Sequence, residues 1–261
     1  MSAAELWALG DYGRVAATLA PAAHALVRAA GIAAGQVVLD VAAGTGNVAV
    51  AAAARGARVT ASDITPELVA LGRERARREG LEIAWELADV TALPQDDGGV
   101  DVVTSAFGAM FATPVDAVTA ELARVLRPGG VLAMANWVPA GPESELFALL
   151  ASYGPAPPPG VPAPTDWGRE EVITERLAAA FQGVSVARRP LPTVFRDATE
   201  CWHFHAEAAP PVVALLNRLD AARGAELAER WIALADEILL HDADRVVFAP
   251  EYALVTARRA T

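Results

Sequence analysis

Four residues in and just after one short segment have the types and the spacing to hold a nucleotide-like ligand. The segment, residues 37–48, begins as an apolar, β-branched run containing Asp40 and passes through Gly44 and Gly46 into an Ala-rich stretch. Glycines lack a Cβ, so the backbone can turn tightly and lie against a ligand, while a helix that starts there offers unpaired N–H groups. Asp63 follows about 20 residues later, where an acid can accept hydrogen bonds from ribose hydroxyls. These residues predict a site for a flat, polar, nucleotide-like ligand.

The elements that would position these residues are the strands and helices of a largely parallel sheet. Short apolar runs typical of buried strands alternate with segments of helical periodicity, which indicates an α/β domain. The expected strands are residues 37–41, 57–63, 81–87, 100–106 and 131–137, followed by strands near 183–189 and at 252–258. The site should therefore lie at the carboxyl edge of this sheet.

Two classes of ligand could use the glycine turn. Gly44, Gly46 and Ala49 fit the dinucleotide pattern G-x-G-x-x-G/A, and Asp63 fits its ribose-binding acid. That pattern does not call for Asp40, which would repel a pyrophosphate but suits a cationic, phosphate-free ligand such as a sulfonium amino acid. Asp40 therefore favours the second class.

With Asp40 in place, residues 37–48 resemble the first motif of the class I S-adenosylmethionine (SAM)-dependent methyltransferases, and the resemblance covers residues 36–138. The run Glu121–Gly130 is similar to the signature that follows the fourth strand in small-molecule SAM methyltransferases. The resemblance implies an α/β fold with a Rossmann-like, seven-stranded, mostly parallel sheet, helices on both faces and a C-terminal antiparallel hairpin. It also implies SAM as the cofactor and S-adenosylhomocysteine as the product.

The resemblance implies roles for residues after each strand. Asp63 would bind the ribose, Ile64 would lie against the adenine, Asp89 would accept from its amino group, and Asp40 would act near the methionine moiety. Alternatively, Asp63 caps the helix that begins near Pro66, and Asp89 caps a short turn. The residues expected to bind SAM are Asp40, Ala42, Gly44, Gly46, Asp63, Ile64, Asp89, Val90 and Ser105.

Aromatic residues near the expected mouth of the site indicate an apolar or aromatic acceptor. In the family that this chain resembles, an N-terminal helix often folds over the cofactor, so residues 1–33 are expected to form lid helices. The residues expected to line the acceptor pocket are Trp7, Tyr12, Phe107, Met110 and Trp137. The alternative for each of them is simple packing on the core.

A helical cap is expected at about 194–240, inserted into the terminal hairpin of a single domain that spans residues 1–261. His203 and His205 lie within it, and either could deprotonate an acceptor near neutral pH. Two residues apart on one helix, they point in different directions, so at most one faces a pocket and they do not form a joint metal site. Alternatively, both are merely packed or exposed. The Pro-rich stretch at 155–164 either closes the acceptor site or only crosses the surface.

Composition limits the partners. The formal net charge of −11 argues against a nucleic-acid ligand, which needs a basic face. No apolar stretch approaches the ~20 residues of a membrane span, and the N-terminus has no secretory pattern. The single cysteine, Cys201, excludes an internal disulfide and a cysteine-cluster metal site. We therefore expect a cytoplasmic, metal-independent monomer or homodimer that acts on a small molecule.

Two other functions compete with a small-molecule methyltransferase. An NAD-dependent oxidoreductase shares the glycine turn, but Asp40, Asp89 and the Arg127–Gly130 signature favour SAM. A non-catalytic SAM-binding protein would retain the same motifs. Within the methyltransferases, a quinone ring is a further candidate acceptor, which the long insert argues against.

Overall fold

The chain folds around a seven-stranded sheet, seen in a computed structural model that describes residues 1–155 and 161–261. The strand order is β3-β2-β1-β4-β5-β10-β6, with β1 to β5 parallel and β10 antiparallel to both of its neighbours. This confirms the expected Rossmann-like sheet and its antiparallel C-terminal end. The strands are β1 (Val37–Val41), β2 (Arg58–Asp63), β3 (Ile83–Leu87), β4 (Val100–Ala106), β5 (Leu126–Trp137), β6 (Phe181–Pro190) and β10 (Glu251–Arg259).

Helices pack along the large sheet. Helices α3 and α4 pack beside β1, β2 and β3, α2 packs on α3 and beside β4 and β5, and α5 and α7 pack beside β5 and β6. The helices of the main domain are α1 (Ala3–Trp7), α2 (Tyr12–Ala29), α3 (Asn47–Ala53), α4 (Pro66–Arg78), α5 (Val115–Val125) and α7 (Glu170–Leu177). Within the two described ranges, no helix combines the length and the apolar character needed to cross a membrane.

The register of the strands brings the expected site residues to one edge of the sheet. Val41 lies opposite Ser62 of β2, and Asp63 lies opposite Leu87 of β3. The turns after β1, β2 and β3 therefore leave the sheet side by side. Thr104 of β4 lies opposite Asp40 of β1, which places a hydroxyl beside that buried carboxyl.

The fifth strand differs from its predicted bounds. It begins at Leu126 instead of residue 131, so the Arg127–Gly130 run lies inside the strand and not in a loop before it. The pairing with β4 shifts register between Val100 and Val102, and Gly129 has a φ of 74° at this irregularity. A bulge explains the earlier start of β5, because an irregular strand can accommodate a Pro-Gly-Gly run. A search for regular alternation of apolar and polar residues excludes such a run from a strand.

The cap is not purely helical. It contains a second, three-stranded sheet in the order β7-β9-β8, which was not predicted. These strands have only three or four residues each, too short to produce a clear alternation of apolar and polar residues. The cap also includes α6, which lies outside the predicted range and packs in the same apolar cluster. The elements of the cap are α6 (Pro142–Ala151), β7 (Thr193–Phe195), α8 (Ala198–Ala208), α9 (Pro210–Leu216), α10 (Ala221–Ile238), β8 (Leu240–Asp242) and β9 (Arg245–Phe248).

The predicted Pro-rich loop is described only in part. Residues 156–160, which include Pro157, Pro158 and Pro159, lie outside the described ranges. Pro164–Gly168 forms a short 3-10 helix, and its Trp167 is buried in the main core.

Two apolar clusters make up the interior. One fills the space between the large sheet and its helices, and includes Phe107 and Trp137. The other lies within the cap, and includes Phe195, Trp231 and Phe248. One of the two cavities of the candidate site lies between these clusters.

Candidate active site

A cavity, here called the turn cavity, opens at the carboxyl edge of the large sheet. It encloses about 840 Å³ of atom-free space, including the part open to solvent. Most of its wall comes from residues directly after β1, β2, β3 and β4, with helices α1 and α2 contributing Trp7 and Tyr12. The strand-end residues that line it are Ala42, Gly44, Asp63, Ile64, Ala88, Asp89, Val90, Phe107 and Gly108.

The glycine turn is held in a left-handed backbone conformation. Gly44 and Gly46 have φ values of 57° and 82°, and Ala42, which has a Cβ, also has a positive φ of 49°. A Cβ on Gly44 would lie 2.8 Å from Cε1 of Tyr12, and one on Gly46 would lie 2.7 Å from Cη2 of Trp85. Both glycines are therefore required by backbone angle and by neighbouring rings, and not only by the approach of a ligand.

Asp63 connects the end of β2 to the glycine turn. Its Oδ2 accepts a hydrogen bond of 2.8 Å from the N–H of Gly44, and its Oδ1 accepts one of 2.9 Å from the N–H of Thr65. Burial raises the pKa of this carboxyl, whereas the two N–H donors oppose that rise. Each carboxylate oxygen can accept a second hydrogen bond, so Asp63 can still bind a hydroxyl in the turn cavity.

Asp40 is fully enclosed and holds the local structure together. Its Oδ2 accepts from the N–H of Ala49 in α3 at 3.1 Å, and its Oδ1 accepts from the hydroxyl of Thr104 in β4 at 2.8 Å. Burial raises its pKa to about 7, against the lowering effect of these two bonds. It lies beside Tyr12 and Ala42 in a smaller cavity of about 300 Å³. Asp40 therefore ties β1, α3 and β4 together directly behind the glycine turn.

The remaining predicted cofactor residues divide into two sets. Ile64, Asp89 and Val90 line the turn cavity. Asp89 is exposed, and its Oδ1 also accepts from the N–H and hydroxyl of Thr91 at 2.9 and 2.7 Å, so the turn-capping interaction exists as well. Ser105 is not among the residues that line the turn cavity. It is buried, and its Oγ accepts a hydrogen bond from the N–H of Ala109.

The charged side chains that line the turn cavity are acidic. Asp63 and Asp89 line it, and its described lining residues include no arginine, lysine or histidine. Burial raises the pKa of Tyr12, and the nearby charges of Asp63 and Asp40 raise it further, so this phenol is neutral. The acidic walls suit a cationic ligand without phosphates better than a pyrophosphate, whose negative charge they would repel.

A second cavity, here called the cap cavity, lies between the two apolar clusters. It encloses about 950 Å³ of atom-free space, including its opening. Trp7, Tyr12, Phe107 and Phe111 line both cavities. Trp137 lines the cap cavity, whereas Met110, also predicted for the acceptor pocket, is buried in the main core.

Phe107 is held at the junction of the cavities by an uncommon backbone conformation. Its φ is 59°, which is unfavourable for a bulky side chain, and its N–H donates to the carbonyl of Ala135. Its ring stacks on Trp137 with 4.1 Å between the centroids. On the lid side, the rings of Trp7 and Phe111 meet edge to face at 5.0 Å. These rings form an apolar wall that the two cavities share.

The two histidines of α8 have different environments, as their spacing on a helix requires. His203 is exposed, whereas His205 lines the cap cavity. Nδ1 of His205 lies 2.8 Å from the carbonyl oxygen of Cys201. Because a carbonyl can only accept, Nδ1 donates, and the neutral ring keeps its lone pair on Nε2. Burial lowers the pKa of His205, which favours this neutral form.

Glu143 is a residue of the cap cavity that sequence reasoning missed. It lies in the first turn of α6, and burial raises its pKa to about 8. No motif surrounds it, and no helix was predicted at residues 142–151. Among the described residues, no group of three His, Cys, Asp or Glu side chains is arranged to hold a metal ion.

Comparison with known proteins agrees with this geometry. Residues 38–130 match a methyltransferase domain family. The uncharacterized protein Rv1405c of Mycobacterium tuberculosis is 37% identical over 258 residues, which cover 97% of this chain and 93% of that protein. The demethylmenaquinone methyltransferase of Thermus thermophilus is 39% identical over 115 residues, which cover 43% of this chain and 51% of that enzyme.

A solved structure supports the fold. Geranyl diphosphate methyltransferase in complex with SAM superposes with a TM-score of 0.55 at 18% identity, covering 92% of this chain and 85% of the other. The matched domain lies on the strands and turns that form the turn cavity, whose acidic walls suit a sulfonium cofactor. The chain therefore belongs to the class I SAM-dependent methyltransferases, and SAM is its cofactor.

Proposed function

We propose that this enzyme transfers the methyl group of SAM, bound in the turn cavity, to a small apolar or aromatic molecule bound in the cap cavity. The observation that carries the proposal is the shared wall: Trp7, Tyr12, Phe107 and Phe111 line both cavities. The two cavities are therefore adjacent, and we infer that the two ligands meet between these rings. Methyl transfer requires such contact between donor and acceptor, with water kept out.

The residues of the turn cavity would hold SAM in the way that its chemistry demands. Asp63 accepts from the ribose hydroxyls, Asp89 accepts from the adenine amino group, and Ile64 and Val90 pack against the ring. Gly44 lets the cofactor approach the backbone, and Asp40 adds negative charge behind the turn. When bound, SAM supplies a methyl group made electrophilic by its sulfonium charge.

The residues of the cap cavity would position the acceptor and remove its proton. The stacked rings of Phe107 and Trp137 offer a flat apolar surface beside the wall that the cavities share. Nε2 of His205, which keeps a lone pair, accepts a proton from an acceptor hydroxyl or amine. A well-placed base of this kind contributes roughly 10²- to 10⁴-fold to the rate.

We also propose that the transfer needs no metal ion. Magnesium-dependent enzymes of the catechol type would need carboxylates at the carboxyl end of β4, and this chain has Ser105, Ala106 and Phe107 there. Dialysis against EDTA should leave the rate of transfer unchanged, whereas a loss that magnesium restores would contradict this part of the proposal.

The test is formation of S-adenosylhomocysteine with a panel of small phenols, quinols and aromatic amines. We expect turnover with at least one aromatic acceptor, and none with hydrophilic acceptors of similar size. His205→Gln should lower kcat by 10²-fold or more. His203→Gln is the matched control, because His203 lies on the same helix but is exposed, and it should retain wild-type kcat. Equal turnover of the two variants would exclude His205 as the base.

A further inference from the structure

Glu143 is an acidic side chain without a charge partner in an otherwise apolar cavity. It lines the cap cavity, and no hydrogen bond or ion pair joins it to another described residue. The described residues of the cavity wall include no arginine or lysine. An ionised carboxylate in such surroundings costs free energy unless a cation or hydrogen-bond donor compensates it. Burial keeps this carboxyl protonated below its raised pKa, and an ammonium group on the ligand would supply the positive charge that favours the ionised form.

The titratable neighbours of Glu143 do not supply the missing charge. Its charge acts on Cys201 of α8, where it reinforces the effect of burial and raises the pKa of the thiol. His205, one helical turn further along α8, donates through Nδ1 to the carbonyl of Cys201 and is neutral. Neither a thiol nor a neutral imidazole balances a carboxylate.

The aromatic rings of the cap cavity add a second feature that suits a cation. Trp7, Tyr12, Trp137 and Trp231 line the same cavity, and the faces of such rings attract cations. A carboxylate combined with tryptophan and tyrosine faces recognises an ammonium group carried on an apolar body. A neutral alcohol gains much less, because it has no charge to pair with either feature.

We propose that Glu143 binds the ammonium group of the acceptor, so that the enzyme selects amines attached to an aromatic or apolar skeleton. This inference rests on the proposed function, because it takes the cap cavity to be the acceptor site. It assigns Glu143 a role in binding specificity, while His205 remains the proposed proton acceptor.

The test compares two probes that differ only in the polar group, 2-phenylethylamine and 2-phenylethanol. Their binding to the protein saturated with S-adenosylhomocysteine is measured by isothermal titration. We expect the amine to bind wild-type protein at least tenfold more tightly than the alcohol. Glu143→Gln, which removes the charge at nearly constant shape, should abolish this preference. Glu145→Gln is the matched control, because Glu145 is exposed in the same helical turn, and it should keep the preference.

Three results would overturn the inference: equal affinity of wild type for the two probes, a preference that survives Glu143→Gln, or no binding of either probe at millimolar concentration. Because the measurement is of binding, it is independent of turnover. Glu143-dependent amine binding without S-adenosylhomocysteine formation by any acceptor would refute the proposed function and leave only the binding of amines by Glu143 standing. Turnover of phenols without any amine preference would do the reverse.

Discussion

Replacing Asp63 with alanine tests the cofactor site most directly. The side chain joins the end of β2 to the glycine turn through hydrogen bonds to the N–H groups of Gly44 and Thr65, and it lines the turn cavity. A hydrogen bond to a charged group contributes about 1.5–3 kcal/mol. If Asp63 holds at least one ribose hydroxyl, Asp63→Ala weakens binding of S-adenosylhomocysteine by roughly 10- to 150-fold. Isothermal titration measures this change directly.

Asp63→Ala also lowers stability, so a control must separate loss of fold from loss of contact. Asp101 lies at the start of β4, at the opposite edge of the sheet, and accepts from the N–H of Val37 at 2.8 Å and from Nε of Arg127 at 2.6 Å. Asp101→Ala removes a similar number of hydrogen bonds away from the cavity. Both variants should have a lower Tm, but only Asp63→Ala should lose affinity. An Asp63→Ala affinity within twofold of wild type, or an equal loss in both variants, would refute this role of Asp63.

Two further predictions concern the groups around the glycine turn. Because burial raises the pKa of Asp40 from 3.8 to about 7, the folded protein binds more protons than the unfolded chain between these values, and stability falls as pH rises through that window. Asp40→Asn should therefore raise Tm at pH 8 relative to wild type but not at pH 3.5, and thermal unfolding that gives the same difference at both pH values would contradict this. Gly44→Ala should weaken S-adenosylhomocysteine binding at least tenfold, because the added Cβ would lie 2.8 Å from Tyr12 and displace it. The control is Gly31→Ala: Gly31 has a φ of 66° and open space around it, so this variant should lose stability only. Equal affinities of the two variants for S-adenosylhomocysteine would contradict the role of Tyr12.

The local patterns of the sequence were sufficient for the cofactor half of the molecule. The strand, glycine turn and helix at residues 37–53 are encoded within one short segment, since apolar alternation, helical periodicity and glycine placement act on neighbouring residues. Asp63 and Asp89 could be placed because parallel strands deliver their carboxyl ends to the same edge. The family resemblance then supplied their roles.

Tertiary structure decided the arrangement of the cap cavity, the proposed acceptor site. Glu143 and His205 are far apart in the chain and become neighbours of one cavity only because α6 and α8 pack within the cap. The positive φ of Phe107 and the contact of Tyr12 with Gly44 likewise depend on elements remote in sequence. No local pattern records such contacts, because the free energy that maintains them comes from packing between elements and not from the residues' own conformational preferences. The sequence by itself thus determined the sheet and the residues at its carboxyl edge, whereas tertiary packing determined the shape and charge of the cap cavity.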